Sequence, residues 1–135
     1  MKEMTIKEVL QADLDKNYPD MQIDVNDYAE DLSNALTNEG YQLFRNGNML
    51  VVYKDLGEGS VELHVINGAH KVDDMIQRIF AILIQLQMDG FKEAQIPYEN
   101  ASLEKIIKKI PVFPKSTTKV DEGPGRTYIT RVRIG

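Results

Sequence analysis

The fold is decided by residues 90–110, whose sequence is GFKEAQIPYENASLEKIIKKI. Gly90 follows a long apolar pattern of helical period and ends it, because glycine readily takes the left-handed conformation at a helix C-terminus. Phe91–Tyr98 then predicts a short strand. Asn100 is a residue type that caps helices, and the apolar spacing after it predicts a helix over about Ala101–Ile110. The stretch therefore connects a helix, a strand and a second helix.

The elements just before this stretch indicate a parallel pair of strands. Val61–Ile66 alternates apolar and polar residues, as a half-buried strand does. Asp73–Asp89 carries apolar residues on well over half of the helical circumference, so this helix is expected to be largely buried on a sheet. A strand, a buried crossover helix and the strand Phe91–Tyr98 predict two parallel strands in one sheet.

Antiparallel neighbours are predicted around that pair. Tyr41–Arg45 and Met49–Lys54 flank a turn at residues 46–48, where Asn-Gly supplies the positive φ angles of a tight hairpin. Phe113–Val120 and Thr127–Ile134 predict two final strands. The predicted fold class is therefore α/β, with a mixed, mostly antiparallel sheet, a central parallel pair and helices on both faces.

The first part of the chain predicts two more helices. Thr5–Leu14 carries a weak apolar stripe, and a second helix is capped by Asn26 or Asp27 and ends at Gly40. The first helix, within residues 1–24, either docks on a partner or covers the core, and both interpretations stay open.

The composition limits the function. The chain has 135 residues, of which 42% are hydrophobic, and this suits one domain over residues 1–135. Its net charge is −5, whereas proteins that hold nucleic acid by general electrostatics are normally basic, so no nucleic-acid partner is expected. The lack of cysteine excludes thiol nucleophiles and zinc–thiolate sites. The apolar run Ile79–Leu86 is too short for a bilayer, so we expect no membrane partner and a cytoplasmic location.

This order of elements resembles that of the GNAT N-acetyltransferase superfamily, over roughly residues 28–135. Members commonly end the long helix with a glycine, run a strand into an asparagine, and continue with a short helix. The matching residues are Gly90, Ala94, Gln95, Ile96, Asn100, Leu103, Ile106, Ile107, Lys109 and Ile110. The resemblance implies a GNAT-like fold and, in catalytic members, transfer of acetyl from acetyl-CoA to an amine.

The chain departs from the family in the loop before the long helix. In the family this loop reads Gln/Arg-x-x-Gly-x-Gly/Ala, and its N–H groups and the helix dipole hold the pyrophosphate of acetyl-CoA. Residues 67–72 read NGAHKV here, with one glycine. Asp73 and Asp74 then place two carboxylates where the polyanion would approach. The resemblance therefore implies that CoA binding is weak or lost.

A second departure lies in the last helix. The family often has a tyrosine there, which protonates the leaving thiolate, but the matching residue is Ile107, which has no proton to donate. Pro111 and Val112 replace the Gly-Phe pair that commonly follows. Together these departures predict a non-catalytic relative, for which no catalytic residue and no cofactor are expected.

In many acetyltransferases a carboxylate on the central strand acts as a base through water. The resemblance therefore implies that Glu62, the one acid on the predicted central strand, is the candidate base if the chain is active. In that case the expected cofactor-binding residues are Ile66, Gly68, Ala69, His70, Lys71 and Asn100. Glu62 and His64 share one face of the strand and could bind a metal together with His70. We favour a solvated strand face there, so no metal site is expected.

Three functions stay open on the sequence. The leading hypothesis is a non-catalytic GNAT-like binding or assembly protein, whose partner is another protein or its own copies. Small relatives with an eroded loop occur among bacteriophage proteins, so the resemblance suggests a virion or accessory component in the virion or the host cytoplasm. The alternatives are an acetyl-CoA-dependent N-acetyltransferase with a divergent loop, and a small inhibitor of a host enzyme, whose acidity would suit a basic target.

Overall fold

The computed structural model describes residues 2–98, 101–119 and 128–135. In chain order the elements within these ranges are α1 (Ile6–Asn17), α2 (Val25–Asn38), β1 (Gln42–Asn46), β2 (Met49–Gly57), β3 (Ser60–Asn67), α3 (Val72–Met88), β4 (Glu93–Tyr98), α4 (Ala101–Lys108), β5 (Lys115–Lys119) and β6 (Tyr128–Arg133). Among the helices of these ranges, none combines the length and the apolar character that a membrane crossing needs.

The strands form one six-stranded sheet in the order β1-β2-β3-β4-β6-β5. The central strands β3 and β4 are parallel, whereas β1–β2, β4–β6 and β5–β6 are antiparallel pairs. The predicted mixed sheet with a central parallel pair is confirmed. The parallel pairing joins Ser60 to Glu93 and runs to Glu62 opposite Gln95, and both strands continue past that point.

The chain divides into two compact units, of which the first contains the residues up to Tyr53 together with Val65–Lys71. Its core joins α1 and α2 to the strands of the same unit. The buried members of this core are Val9, Leu10, Leu32, Leu50, Val52 and Ile66. Val9 and Leu10 are 0% exposed, so α1 contributes to the centre of this core and adds to its hydrophobic stabilisation.

Side-chain caps fix the helix starts in this unit. Thr5 and Glu8 form a capping box at α1, in which each side chain accepts the backbone N–H of the other residue. Asp24 caps α2 by accepting the Asn26 N–H at 2.7 Å. The predicted cap at Asn26 or Asp27 is therefore wrong, because both residues lie inside the first turn and an earlier acid takes the cap position.

The second unit contains Lys54–His64 and Val72–Gly135. Its 17-residue helix α3 buries one face only, so the predicted largely buried helix is wrong in extent, because Ile76, Phe80 and Ile84 are only partly buried. The buried residues are Met75, Ile79, Ile82, Leu83 and Leu86.

A Schellman motif ends α3 and confirms the predicted glycine stop. Gly90 has a φ of 98° and donates its N–H to the Gln87 C=O, and the Phe91 N–H donates to the Leu86 C=O. The left-handed backbone at Gly90 is the reason this position favours glycine.

A strained turn separates α4 from β5. Val112 has a φ of 79°, and the Phe113 N–H donates to the Pro111 C=O at 3.0 Å, which makes a γ-turn around Val112. The left-handed region is costly for a β-branched residue because its branched Cβ crowds the backbone. The predicted strand Phe113–Val120 is therefore wrong at its start, since this turn delays β5 to Lys115. Its predicted last residue lies outside the described residues.

Replacing Val112 with glycine is expected to raise the free energy of unfolding by about 1 kcal/mol. Glycine relieves the left-handed strain, and little burial is lost because Val112 is 80% exposed. Val112→Ala is the matched control, since alanine keeps a Cβ and should gain less. Urea unfolding of the parent, Val112→Gly and Val112→Ala proteins measures the order of their stabilities. A Val112→Gly protein that is no more stable than the parent would argue against strain at this turn.

Candidate functional site

The β3–α3 loop, residues 67–71, is closed on itself by one side chain. Asn67 is 5% exposed. Its Oδ1 accepts the His70 N–H at 3.0 Å, and its Nδ2 donates to the His70 C=O at 2.9 Å. An asparagine amide donates and accepts at once, so a single side chain holds both main-chain groups of one residue.

Gly68 brings this loop against the β1–β2 turn. Its N–H donates to the Asn48 C=O at 2.7 Å. A Cβ added to Gly68 would lie 2.5 Å from the Asn48 carbonyl oxygen and 3.2 Å from the Asn48 Cβ. The position therefore needs glycine for space, because the neighbouring backbone occupies the place of a side chain.

His70 makes a second contact with the same turn. The residue is 3% exposed, and its Nε2 accepts the Asn48 N–H at 2.9 Å. A ring nitrogen that accepts a hydrogen bond carries no proton at that position. His70 thus acts as a buried hydrogen-bond acceptor, and Asn48 holds the loop through both of its main-chain groups.

A buried carboxylate on α1 holds the first residue of the loop. Asp13 is 5% exposed and accepts the Asn67 N–H at 3.3 Å, the Asn17 Nδ2–H at 2.9 Å and the Tyr28 hydroxyl at 3.3 Å. Burial raises the pKa of Asp13, and the three hydrogen bonds offset this only in part. Burial, followed by the Asp13 charge, raises the pKa of Tyr28, so that its hydroxyl stays protonated and donates.

These contacts form one continuous buried network in the first unit. Its members are Asp13, Asn48, Asn67 and His70, each at 5% exposure or less. We call this set the loop network. Because buried polar groups are costly to leave without partners, the network fixes the β3–α3 loop against α1 and the β1–β2 turn.

Sequence reasoning missed two members of the loop network. Asp13 lies between Leu10 and Leu14 at the spacing of the apolar stripe of α1, so an acid on that stripe was a usable signal. Asn48 gave no such signal, because asparagine is common in turns, where its side chain hydrogen-bonds the nearby backbone.

Glu62 and His64 come together on β3 in the second unit. The His64 Nε2 lies 3.1 Å from the Glu62 Oε2, and the two side chains are 30% and 16% exposed, respectively. Glu62 is also the last residue of the parallel pairing, where it lies opposite Gln95. A carboxylate in contact with an imidazole can accept a proton from a nucleophile, so this pair is suited to base chemistry.

The other residues predicted for a cofactor differ in their surroundings. Ile66 is buried in the core of the first unit, whereas Ala69 and Lys71 are exposed on the loop. Asn100 lies outside the described residues. Ile107, the residue matched to the tyrosine that the GNAT family often has, is 0% exposed. Across residues 2–98, 101–119 and 128–135, no group of three or more histidines and carboxylates is placed to hold a metal ion.

Several solved structures resemble this one. A domain from Methanocaldococcus jannaschii DSM 2661 has a TM-score of 0.62 and 17% identity, covering 98% of this chain and 96% of its own. A probable acetyltransferase of the GNAT family from Chromobacterium violaceum ATCC 12472 has a TM-score of 0.66 and 12% identity, covering 96% of this chain and 76% of its own. An acetyltransferase from Bacillus subtilis in complex with CoA has a TM-score of 0.55 and 14% identity, covering 97% of this chain and 93% of its own. No protein-family model and no curated protein matches the chain.

At identities of 12–17% these likenesses establish the fold and nothing finer. They extend over nearly the whole chain, and the element order that suggested the resemblance is the order found in the structure. The chain therefore has a GNAT-like fold.

Proposed function

We propose that this chain is a GNAT-like domain that binds a protein partner or further copies of itself and does not transfer acetyl groups. The observation that carries the proposal is the closed β3–α3 loop. Its Gly68 and His70 N–H groups donate inside the protein, to the Asn48 C=O and the Asn67 Oδ1.

The β3–α3 loop as folded does not fit the pyrophosphate of CoA. A loop that binds an anion directs several N–H groups outward at the same ligand. Freeing the Gly68 N–H would break its bond to Asn48, and freeing the His70 N–H would break its bond to the Asn67 side chain. Each such bond is worth about 1 kcal/mol, and more where a buried group is left unsatisfied. An anion must therefore disrupt the loop network before it gains these contacts.

The charges at the start of α3 act in the same direction. Asp73 and Asp74 lie in its first turn, where they complement the helix dipole. The Asp74 carboxylate pairs with the Arg78 Nε at 3.2 Å, so this guanidinium already has an anionic partner. Two carboxylates at a helix start disfavour the approach of a polyanion.

The acidity of the chain indicates the class of partner. A net charge of −5 favours association with a basic protein surface. The proposal includes a place in a bacteriophage virion or in the host cytoplasm, and this part rests on the resemblance alone. A small inhibitor of a host enzyme is a separate alternative, whose acidity would suit a basic target.

The second candidate function is an acetyl-CoA-dependent N-acetyltransferase with a divergent loop. The contact between Glu62 and His64 favours it, because a largely buried carboxylate beside an imidazole suits removal of a proton from an amine. The acetyltransferases among the structural neighbours fit this candidate as well as the first. In this candidate Glu62 is the base, and the loop opens for acetyl-CoA.

Millimolar acetyl-CoA is expected to leave the melting temperature unchanged. A ligand at a hundred times its Kd stabilises a protein by about 2.7 kcal/mol, which corresponds to a rise of several degrees. Differential scanning fluorimetry measures the shift, with an acetyl-CoA-binding GNAT enzyme as positive control. A saturable rise, together with acetyl transfer to amines that Glu62→Gln abolishes, would reject the proposal in favour of the second candidate.

A further inference from the structure

The chain segment Lys2–Met4, just before α1, is held by side chains of the β1–β2 hairpin. The Met4 N–H donates to the Asn48 Oδ1 at 2.8 Å, and the Asn48 Nδ2 donates to the Lys2 C=O at 2.9 Å. The Arg45 guanidinium donates to the Met4 C=O and to the Asn48 Oδ1. The Asn48 side-chain amide therefore pairs with the Met4 N–H and with the Lys2 C=O. In an extended segment, these two main-chain groups point to the same side.

The hairpin recognises main-chain atoms of this segment. The three bonds from Asn48 and Arg45 end on N–H and C=O groups, which almost every residue type offers. Of the side chains in the segment, Glu3 has its carboxylate 4.0 Å from the Arg45 guanidinium and is 83% exposed, whereas Met4 packs against the core of the first unit. The Met4 Sδ lies 3.2 Å from the place where a Cβ of Gly68 would be, so the segment also lies against the β3–α3 loop.

The Asn48 side chain is presented by a fixed backbone. The Asn48 C=O accepts the Gly68 N–H and its N–H donates to the His70 ring, so both main-chain groups are engaged independently of the side chain. A recognition group on a fixed backbone loses little conformational entropy when it binds. The residue is 3% exposed, so the amide is sheltered from water while the segment is in place.

We propose that Arg45, Asn48 and Gly68 form a binding site for extended peptide backbone, and that Lys2–Met4 is its resident ligand within the same chain. The recognition resembles strand addition, in which main-chain hydrogen bonds supply the affinity. Attachment to α1 gives the resident segment an effective concentration in roughly the millimolar range, so a free peptide binds when the segment is released. The site stands whether or not the chain transfers acetyl groups.

The test uses the full-length chain with Met4→Pro, which removes the N–H that Asn48 accepts and so releases the segment. The probe is the peptide acetyl-Lys-Glu-Met-Thr-amide, followed by the Asn48 side-chain amide signal in 15N-edited NMR. We expect saturable shifts with a Kd on the order of millimolar in Met4→Pro, and clearly weaker binding in the parent protein, where the resident segment competes with the peptide. The double variant Met4→Pro, Asn48→Ala should show no shifts in the remaining hairpin signals.

Two controls make the outcome decisive. The same peptide with N-methylmethionine in place of methionine lacks the recognised N–H but keeps the side chain, and it should not bind; equal shifts from both peptides would overturn the proposal. A folded Met4→Pro protein that binds neither peptide would also overturn it. A separate experiment needs no proline: hydrogen exchange of the Met4 amide is compared between the parent protein and Asn48→Ala. This variant removes the side-chain acceptor but keeps both main-chain contacts of residue 48 to the loop. Exchange should become at least about tenfold faster in Asn48→Ala, and an unchanged rate would overturn the site.

Discussion

Replacing Asp13 with alanine is expected to lower the free energy of unfolding by about 2–4 kcal/mol. The change leaves the Asn67 N–H and the Tyr28 hydroxyl without their acceptor, at a site that is 5% exposed. A buried donor that loses its partner costs much more than the net value of the bond, because water does not replace the acceptor. Urea unfolding at neutral pH measures the loss.

Asp13→Asn is the matched variant and should behave in the opposite way. The asparagine Oδ1 can accept the Asn67 N–H and the Asn17 amide as the carboxylate does, and its Nδ2 can donate to the Tyr28 oxygen. The variant also removes a charge whose burial is unfavourable. We therefore expect Asp13→Asn to be at least as stable as the parent protein at neutral pH.

The pH dependence of the free energy of unfolding separates the effect of the buried Asp13 charge from the effect of its hydrogen bonds. The folded-state pKa of Asp13 is raised by burial above its ordinary value of about 3.9, so folding favours the protonated carboxyl. This contribution to stability is fully present below the ordinary pKa and is lost as pH rises through the raised, folded-state pKa. The stability of Asp13→Asn relative to the parent should therefore increase over that window and then level off. A constant difference from acid to neutral pH would contradict the raised pKa.

Replacing Gly68 with alanine is expected to lower the free energy of unfolding by about 2–3 kcal/mol. The new Cβ would lie 2.5 Å from the Asn48 carbonyl oxygen, which is closer than real Cβ contacts. The obstacle is backbone, so a change of rotamer cannot relieve it, and the bond from the Gly68 N–H to that same oxygen must stretch or break. We also expect the His70 contact to the turn to loosen, because both contacts end on Asn48.

Gly90→Ala is the control for this prediction, since it tests a glycine needed for a different reason. A Cβ at Gly90 meets nothing within 4 Å, and its φ of 98° alone disfavours alanine, so we expect a loss of about 1 kcal/mol. Denaturant unfolding of both variants gives the comparison, and proton NMR of the His70 ring reports on the loop. The close packing of the loop on the turn would be contradicted if Gly68→Ala lost no more stability than Gly90→Ala.

The sequence predicts the fold where a local signal and the global topology agree. The glycine at position 90 marks the end of α3, and a buried helix between two strands favours the parallel pair that the structure has. Prediction from the sequence fails where several residues compete for the same local role. Asp24, Asn26 and Asp27 are all cap types, and the choice among them depends on where the helix packs in the first unit.

The turn at Val112 could not be read from the pattern for a related reason. Pro111 and Pro114 restrict their own φ angles and disfavour helical backbone at the residues before them, Ile110 and Phe113. The reversal then falls on Val112, although a β-branched residue is a poor choice for it. Residue preferences alone would have placed the positive φ elsewhere.

The departure of the loop from the GNAT pattern is visible in the sequence, but its closure is not. The Asn67-Gly68 pair and the missing second glycine can be read directly. The partners that close the loop are far away in the chain, with Asp13 54 residues from Asn67 and Asn48 22 residues from His70. Such contacts depend on the packing of α1 and the hairpin, and a single sequence carries no spacing rule for them.

The closed loop is tested most directly by titrating the 15N-labelled protein with acetyl-CoA and following the amide signals of Gly68, Ala69 and His70. The loop network predicts that these signals stay in place up to millimolar ligand, because the Gly68 and His70 N–H groups already have acceptors inside the protein. The exchange of the Gly68 and His70 amide protons with solvent should also stay slow. Saturable shifts of these amides, with faster exchange as the loop opens, would show that the loop receives the pyrophosphate and would contradict the proposed non-catalytic role.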